Sequence, residues 1–114
     1  MARGRIALER DFQPKLKKEI RARFPGCYIF KLDSSEFQGI PDLLILWGDQ
    51  WAILEVKREE PTSPDDYQPN QEWYIEEFNR LSFSSAIFPE NKEAVLDDLQ
   101  QTFGTRRASR YNQR

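Results

Sequence analysis

The stretch that most constrains this chain is GIPDLLILWGDQWAILEVKR, residues 39–58, in which two runs of strand-forming side chains flank a Gly-Asp pair. Gly-Asp between such runs favours a two-residue hairpin turn, which sets Asp42 opposite Glu55 on the neighbouring strand. Residues two apart in a strand point to the same face, so Lys57 joins Glu55 there. A three-residue turn would shift the pairing by one residue, and the predicted convergence therefore depends on the register.

Two carboxylates that face one another repel, so the predicted pair needs a compensating cation. Lys57 is one candidate and a divalent metal is the other. Mg²⁺ prefers hard oxygen ligands and keeps several of its waters, and such an ion can direct water against a phosphodiester and neutralise the charge that develops. A salt-bridged patch on a solvent-facing sheet edge would explain the same three residues without any chemistry.

Composition narrows the chemistry that this cluster can perform. The chain of 114 residues contains no histidine and a single cysteine, Cys27. This excludes histidine-based metal sites, Ser-His-Asp hydrolysis, Cys-rich zinc sites and an intramolecular disulfide. The N-terminus lacks the apolar core of a signal peptide, and no later run is long enough to span a membrane. We therefore expect a soluble, cytoplasmic protein with no membrane partner.

Charge is distributed unevenly, although the net charge is only −2. Residues 1–23 carry +5, residues 24–103 carry −11 and residues 104–114 carry +4. Basic ends around an acidic body suit phosphate contacts at the periphery and cation binding at the centre. Solvated helix faces and a flexible tail would explain the same distribution.

Apolar periodicity predicts a single α/β (α+β) domain over residues 1–104, with a small mixed sheet flanked by helices. A flexible basic tail is expected over residues 105–114. The predicted order of elements is α-β-β-β-α-β-α. Pro14 lies inside the first helix and would either distort its first turns or delay its start to near Gln13.

The boundaries of these elements follow from the stripe of apolar residues and from turn-forming residues between them. The first half of the chain is predicted to form a helix over about 7–24 and strands over 27–33, 42–47 and 51–57. A second helix is predicted from Pro69 to Leu81, with Tyr74, Phe78 and Leu81 facing inward. A strand over 84–88 and a last helix, which Asn91 caps and Gly104 ends, complete the prediction.

Pro41-Asp42, followed after the hairpin by Glu55-Val56-Lys57, resembles the signature of the PD-(D/E)XK nuclease superfamily. Within it, GIPDLLIL, WAILEVKR and the later QPNQEWY are most similar to the VRR-type nuclease domains of phages and bacteria, with archaeal-type Holliday-junction resolvases as more distant relatives. The similarity covers about residues 9–103. It implies a restriction-endonuclease-like core and Mg²⁺-dependent hydrolysis of the nucleic-acid backbone, with Mn²⁺ able to substitute.

The resemblance also implies roles for the residues of the signature. Asp42 and Glu55 would bind the metal, and Val56 would add its backbone carbonyl. Lys57 would be the catalytic lysine.

Two further residues complete the implied site. The family places an acidic residue on the first helix near the metal, and by position this is Glu9, with Glu19 as the alternative; for Glu19 we favour an exposed acid with no such role. Gln71 matches the family's glutamine at the start of the second helix. Independently, Gln71 shares the inward stripe with Tyr74 and Phe78, where an apolar residue would be expected. A buried amide needs hydrogen-bond partners, which a hydrated metal site would supply. The alternative is an amide at the start of a helix that bonds to nearby backbone.

Basic side chains outside the signature are candidate DNA contacts, although each taken singly also suits solubility. Arg58, next to the signature, is the best individual candidate for a phosphate contact. Ser34 and Ser35 lie in the loop that leads into the site and could approach a DNA backbone. The other candidates are Lys15, Lys17, Lys18, Arg21 and Arg23 on the first helix and Arg106, Arg107 and Arg110 in the tail.

The predicted function is that of a divalent-metal-dependent endonuclease, selective for branched DNA such as a Holliday junction, acting in the host cytoplasm if the chain is phage-encoded. A domain this small lacks room for a base-reading module, so a homodimer with two spaced active sites is expected. Alternatives are a general or site-specific nickase of the homing or restriction type on the same fold, and a catalytically silent DNA-binding module. A silent copy would be expected to have lost a residue of the signature, and all are retained.

Overall fold

The computed structural model describes the backbone of residues 2–112 and the side chains of residues 11–104. It is a mixed α+β domain with one four-stranded sheet and three helices. The elements in chain order are α1 (Ala2–Arg23), β1 (Tyr28–Lys31), β2 (Leu43–Trp47), β3 (Gln50–Val56), α2 (Gln71–Leu81), β4 (Ser84–Ile87) and α3 (Lys92–Asn112), with a 3₁₀ turn at Pro64–Asp66. The predicted order of helices and strands is confirmed.

The sheet has the strand order β1-β2-β3-β4, and it is mixed. β1 and β2 pair antiparallel across the loop of residues 32–42, and β2 and β3 pair antiparallel across a two-residue turn. β3 and β4 pair parallel, with α2 as the crossover that a parallel connection needs. β1 and β4 are therefore the two edges.

The core lies between one face of the sheet and the two long helices. α1 contributes a stripe at a spacing of four residues, and α3 contributes a second apolar stripe. Burying each of these side chains stabilises the fold by about 1.5–3 kcal/mol. The buried set is Phe12, Leu16, Ile20 and Phe24 from α1, Leu43, Ile45, Ala52, Leu54 and Ile87 from the sheet, and Val95, Leu96, Leu99 and Phe103 from α3.

α2 covers part of the opposite face of the sheet. Trp51 alternates with the core residue Ala52 along β3, and its ring meets the ring of Phe78 edge to face at 5.9 Å. α2 packs on β3 and β4. The two faces of the sheet are thus covered differently, α1 and α3 on one side and α2 on the other.

Four details differ from the prediction. α1 begins at Ala2 and not near residue 7, and it is continuous through Pro14, which is exposed, so a start near Gln13 is also wrong. α2 begins at Gln71 because Asn70 has a left-handed φ of 70°, which leaves Pro69 outside the helix. Leu81 is exposed at the end of α2 and does not face inward.

The fourth difference concerns the last helix. α3 continues through Gly104 to Asn112, so the prediction that Gly104 ends the helix is wrong. A glycine weakens a helix but stops it only where the chain adopts a left-handed conformation, and Gly104 has no positive φ. Asn91 precedes the helix as expected, but its side chain turns back to the strand, accepting from the Phe88 amide and donating to the Ala86 carbonyl.

Candidate active site

The hairpin has the register that brings the two carboxylates together. Trp47 pairs with Gln50 across a two-residue turn in which Gly48 has a φ of 63°. The same register places Asp42, one residue before β2, opposite Glu55. The Asp42 Oδ2 atom accepts a hydrogen bond of 3.1 Å from the backbone amide of Val56, the residue after Glu55.

Glu55 is a buried carboxyl group, with only 5% of its surface exposed. Within the described part of the chain, its Oε1 atom has no hydrogen-bond partner. Burial and then the neighbouring Asp42 charge raise the pKa of Glu55 to about 7, against the opposing effect of Lys57. A buried oxygen without a partner costs free energy, so this position is unfavourable for the folded chain on its own.

Lys57 is held by three acceptors from different parts of the chain. Its Nζ atom lies 3.4 Å from Glu55 Oε2, 2.8 Å from the carbonyl oxygen of Asp66 and 3.0 Å from Gln71 Oε1. It also lies 5.0 Å from the centre of the Tyr67 ring, within the range of a cation–π contact. A lysine with three donors and three acceptors has a defined direction, unlike a lysine that extends freely into solvent.

Gln71 occupies the inward position that its spacing predicted. It is 2% exposed at the first position of α2, and its Oε1 atom accepts from Lys57 Nζ and, at 3.3 Å, from the Gln68 amide. The partners expected for its oxygen were those of a hydrated metal site. The described partners are protein groups: the Lys57 ammonium and, as the alternative expected, a nearby backbone amide, that of Gln68.

One open cleft of about 740 Å³ lies at the end of the hairpin. Asp42, Glu55, Val56, Lys57 and Arg58 all line it, whereas Gln71 is not among its lining residues and meets this group through its contact with Lys57. The remaining lining residues are Gln13, Lys31, Glu59, Glu60, Pro61, Thr62 and Asp66.

Sequence reasoning missed the other seven lining residues, and three of these come from elements outside the hairpin. Gln13 comes from α1, Lys31 from the end of β1 and Asp66 from the 3₁₀ turn. Asp66 acts through its backbone carbonyl, which no side-chain pattern can show. Its carboxylate accepts from the amides of Thr62 and Ser63, which fixes the loop and lowers the pKa of Asp66.

The acidic residues proposed on α1 have different outcomes. Glu19 is away from the cleft: its carboxylate lies 2.6 Å from Lys92 Nζ and 3.4 Å from Arg23, between α1 and α3. The interpretation of Glu19 as an acid without a role at the site agrees with its position, but Glu19 is half-buried in ion pairs and not exposed. The side chain of Glu9 lies outside the described residues.

The candidate DNA contacts lie around the cleft and on α1. Arg58 lines the cleft, and Lys15 and Lys18 are exposed on α1. Ser35 is engaged locally, since both its amide and its hydroxyl donate to Asp33, and neighbouring Ser34 is half-buried in the same loop. The side chains of Arg106, Arg107 and Arg110 lie outside the described residues.

The donor set of the cleft fits a hard divalent cation. Carboxylate oxygens from Asp42 and Glu55 and the carbonyl of Val56 are oxygen ligands of the kind that Mg²⁺ accepts, and the unpartnered Glu55 oxygen is available for one. Among the side chains of residues 11–104, no group of three or more metal-binding residues is present. Water would therefore complete the coordination, which Mg²⁺ tolerates well.

Comparisons with known proteins give no relative for this chain. No protein-family model matches it, and neither a search of curated proteins nor a search of solved structures finds a match. In the part of the chain that the structure describes, no helix combines the length and apolar character needed to cross a bilayer.

Proposed function

We propose that this chain is a divalent-metal-dependent nuclease that hydrolyses DNA phosphodiester bonds in the cleft at the end of the hairpin. The observation that carries the proposal is the buried Glu55 carboxylate, opposite Asp42, with one oxygen atom that no described group satisfies. Two facing carboxylates repel each other and destabilise the fold unless they bind a cation, and carboxylates perturbed in this way occur most often at functional sites.

A purely structural salt bridge explains this arrangement less well. Lys57 reaches only Oε2 of Glu55, at 3.4 Å, and its two shorter contacts are with Asp66 and Gln71. An ion pair that served stability alone would satisfy both carboxylate oxygens, because a buried carboxylate with an empty acceptor is strongly unfavourable. The open cleft beside the pair also offers room for a phosphate.

The positions of these residues give each of them a different role in the proposed reaction. Asp42, Glu55 and the Val56 carbonyl would hold the cation, and a bound divalent ion supplies activation of water at neutral pH and neutralisation of charge on the phosphate. Lys57 would stabilise the negative charge of the reacting phosphate. Because all three of its donors are engaged, Lys57 must exchange one acceptor for substrate, and the longest contact, to Glu55, is the one most readily released.

The resemblance to PD-(D/E)XK enzymes, and to VRR-type domains in particular, supports the same assignment through its pattern of residues. It also implies Glu9, on the first helix, as a third acidic group at the metal. Branched DNA as the substrate, Mg²⁺ or Mn²⁺ as the metal and a homodimer as the active form remain parts of this proposal.

The test is a cleavage assay with supercoiled plasmid and a labelled four-way junction, with Mg²⁺, with Mn²⁺ and with EDTA. Wild-type protein should nick or cleave in the presence of either metal and not in EDTA. Glu55→Gln and Lys57→Ala should each reduce the rate by at least about 100-fold, the scale expected when a group that stabilises transition-state charge is removed. Glu60→Gln changes a cleft-lining carboxylate outside the pair and serves as the matched control.

Each outcome has a definite reading. Cleavage that survives Glu55→Gln would come from a contaminant or another site and would contradict the proposal. Metal-independent binding of DNA without cleavage would favour the silent binding module. A strong preference for the junction over linear duplex would support the structure-selective enzyme, and equal cleavage of both would support a general nickase. Sedimentation of the protein with and without junction tests the homodimer.

A further inference from the structure

Two aromatic side chains of the edge strand β1 lie open to solvent. Tyr28 is 67% exposed and Phe30 is 48% exposed. Their rings are nearly parallel, at 8°, with centres 6.2 Å apart. Exposed apolar side chains that occur singly need no explanation, but two adjacent aromatic rings held parallel on a strand form a surface that suits a planar ligand.

The register places this pair on the same face of the sheet as the carboxylates. Phe30 pairs with Leu44 on β2, and alternation along β2 puts Leu44 and Asp42 on one face. The Leu32 amide donates to the Asp42 carbonyl at 2.6 Å, so the pairing continues to the edge of the site. Phe30 is therefore a diagonal neighbour of Asp42, about 7–8 Å away by the geometry of antiparallel strands.

α2 covers only a part of this face. Its contacts with the sheet are on β3 and β4, as in the packing of Phe78 on Trp51. The exposure of Tyr28 and Phe30 shows that the face remains open over β1. Lys31, the residue after Phe30, lines the cleft with Asp42 and offers a cation there, although alternation along β1 turns its side chain to the other face of the sheet from the two rings.

We propose that Tyr28 and Phe30 are a stacking subsite for unpaired nucleobases, which selects nucleic acid with a single strand next to the scissile phosphate. This inference rests on the proposed nuclease function and names its substrate class. Every base has a π-face, so aromatic side chains beside a cationic group bind single strands without reading their sequence. A continuous duplex keeps its bases stacked on each other and cannot use the rings.

A second copy of the chain is the other possible occupant of this surface, through edge-to-edge pairing of β1. The observations favour nucleobases because the register puts Phe30 on the same face as Asp42 and diagonally next to it, and because Lys31 on the edge strand is a residue type that discourages edge pairing. Self-association is therefore an outcome for the experiment to exclude.

The experiment measures binding in EDTA, so that no metal-dependent cleavage occurs. Fluorescence anisotropy would report the Kd for labelled oligothymidylate, oligouridylate and a DNA duplex, each about 15 nucleotides long to cover one site. The Tyr28→Ala/Phe30→Ala double variant should bind the single strands at least about tenfold more weakly, since stacking on aromatic rings contributes strongly per base. Its affinity for duplex should stay within about twofold of wild type. The oligouridylate arm tells whether RNA is accepted.

Two further variants make the result specific. Phe30→Leu keeps an apolar side chain but removes the flat ring, so it should lose affinity, whereas Tyr28→Phe should retain it. Trp73→Ala is the matched control, because Trp73 is 60% exposed on α2 and lies outside the subsite. Circular dichroism spectra that match wild type would show that each variant is folded.

The inference fails if wild type does not bind single strands, if the double variant binds them as well as wild type, or if Phe30→Leu is neutral. It also fails if light scattering shows a wild-type dimer that the double variant converts to monomer without a change in single-strand affinity per chain. If single-strand binding depends on the two rings but no metal-dependent cleavage occurs, the stacking subsite stands and the proposed nuclease function fails. If wild type cleaves DNA but its single-strand binding does not depend on the rings, the nuclease function stands and the subsite fails.

Discussion

Glu55 and Lys57 are each more constrained than a surface ion pair would be. Glu55 is buried and faces Asp42, while Lys57 is directed by three acceptors that the β3–α2 connection and α2 itself help to supply. Removing the charge of a buried acid that lacks a full set of partners relieves desolvation and repulsion. The fold therefore bears a cost in stability at Glu55, which the proposed binding of a cation would offset.

Glu55→Gln should stabilise the metal-free protein by about 1–2 kcal/mol at pH 8, as functional residues often do when replaced by a neutral isostere. The folded-state pKa of about 7 lies above the unfolded value near 4.5, so ionisation of Glu55 lowers stability as the pH rises through that window. The gain should accordingly be small at pH 5 and larger at pH 8. Thermal unfolding in EDTA at the two values measures it.

Glu60→Gln is the control for this experiment, since Glu60 is exposed in the same cleft. Its effect should stay within about 0.5 kcal/mol at both pH values. A Glu55→Gln variant that is less stable than wild type at pH 8 would show that the carboxylate stabilises the fold, and would remove the main physical argument for a binding site.

The residues of the site differ in how far the sequence can predict them. Asp42 and Glu55 follow from the turn and the period of two, and the buried amide of Gln71 follows from its place on an apolar stripe. The carbonyl of Asp66 and the proximity of Lys31 depend on how a loop and a strand end fold back on the cleft. Such contacts carry no periodic signal, so only the structure identifies them.

At the scale of elements, Gly39, in the loop before β2, packs against the backbone at the start of α2. It has a φ of 90°, and a Cβ atom added to it would lie 2.2 Å from the Pro69 carbonyl oxygen and 2.9 Å from the Gln71 amide. The chain that delivers Asp42 thus packs directly on the helix terminus that delivers Gln71. Two halves of the site are held together by a contact that only glycine permits.

Gly39→Ala should destabilise the fold by about 3 kcal/mol or more, because left-handed strain and overpacking against backbone both contribute. Gly26→Ala isolates the first term, since Gly26 has a similar φ of 84° and open space around its Cβ position. That control should cost about 1–2 kcal/mol. Chemical denaturation of both variants measures the difference, and equal losses would show that the contact with α2 is not tight.

α1 and α3 are joined by an ion cluster in addition to their apolar stripes. Arg23 contacts Glu19, Glu93 and Asp97, and Lys92 lies 2.6 Å from Glu19. The hydrogen bond from Lys92 is the largest cause that lowers the pKa of Glu19. The cluster is partly exposed, so its contribution is modest and sensitive to salt.

Glu19→Gln should reduce stability at pH 7 by less than about 1 kcal/mol. Because the pKa of Glu19 is lower in the folded state, its contribution is present above its usual value of 4.5 and is lost as the pH falls through the folded-state pKa. The difference between wild type and variant should therefore disappear in acid. Unfolding at pH 7 and at successively lower pH measures it, with exposed Glu90→Gln as control. A difference that does not decline as the pH falls would point to packing.

For the molecule as a whole, the predicted arrangement of helices on a small mixed sheet is correct, because apolar period and turn residues agree over most of the chain. The errors fall at helix ends. Pro14 and Gly104 are tolerated inside α1 and α3, where tertiary packing of Leu16 and Phe103 outweighs their local cost. The open part of the sheet over β1 could not be predicted either, since it depends on where α2 lies.

The fold itself assembles the proposed metal site, which gives a test at the scale of the whole molecule. Asp42 and Glu55 are thirteen positions apart in the chain and meet only when β2 and β3 pair, so a cation that needs both binds the folded state in preference to the unfolded chain. Mg²⁺ or Mn²⁺ should then raise the melting temperature of wild type. At a metal concentration 100 times the Kd, binding should increase the free energy of unfolding by about 2.7 kcal/mol. Asp42→Asn and Glu55→Gln should abolish the shift, Glu60→Gln should retain it, and EDTA should reverse it. Calorimetric scans in each condition measure the effect, and equal shifts in wild type and both ligand variants would locate cation binding elsewhere on the acidic body of the protein.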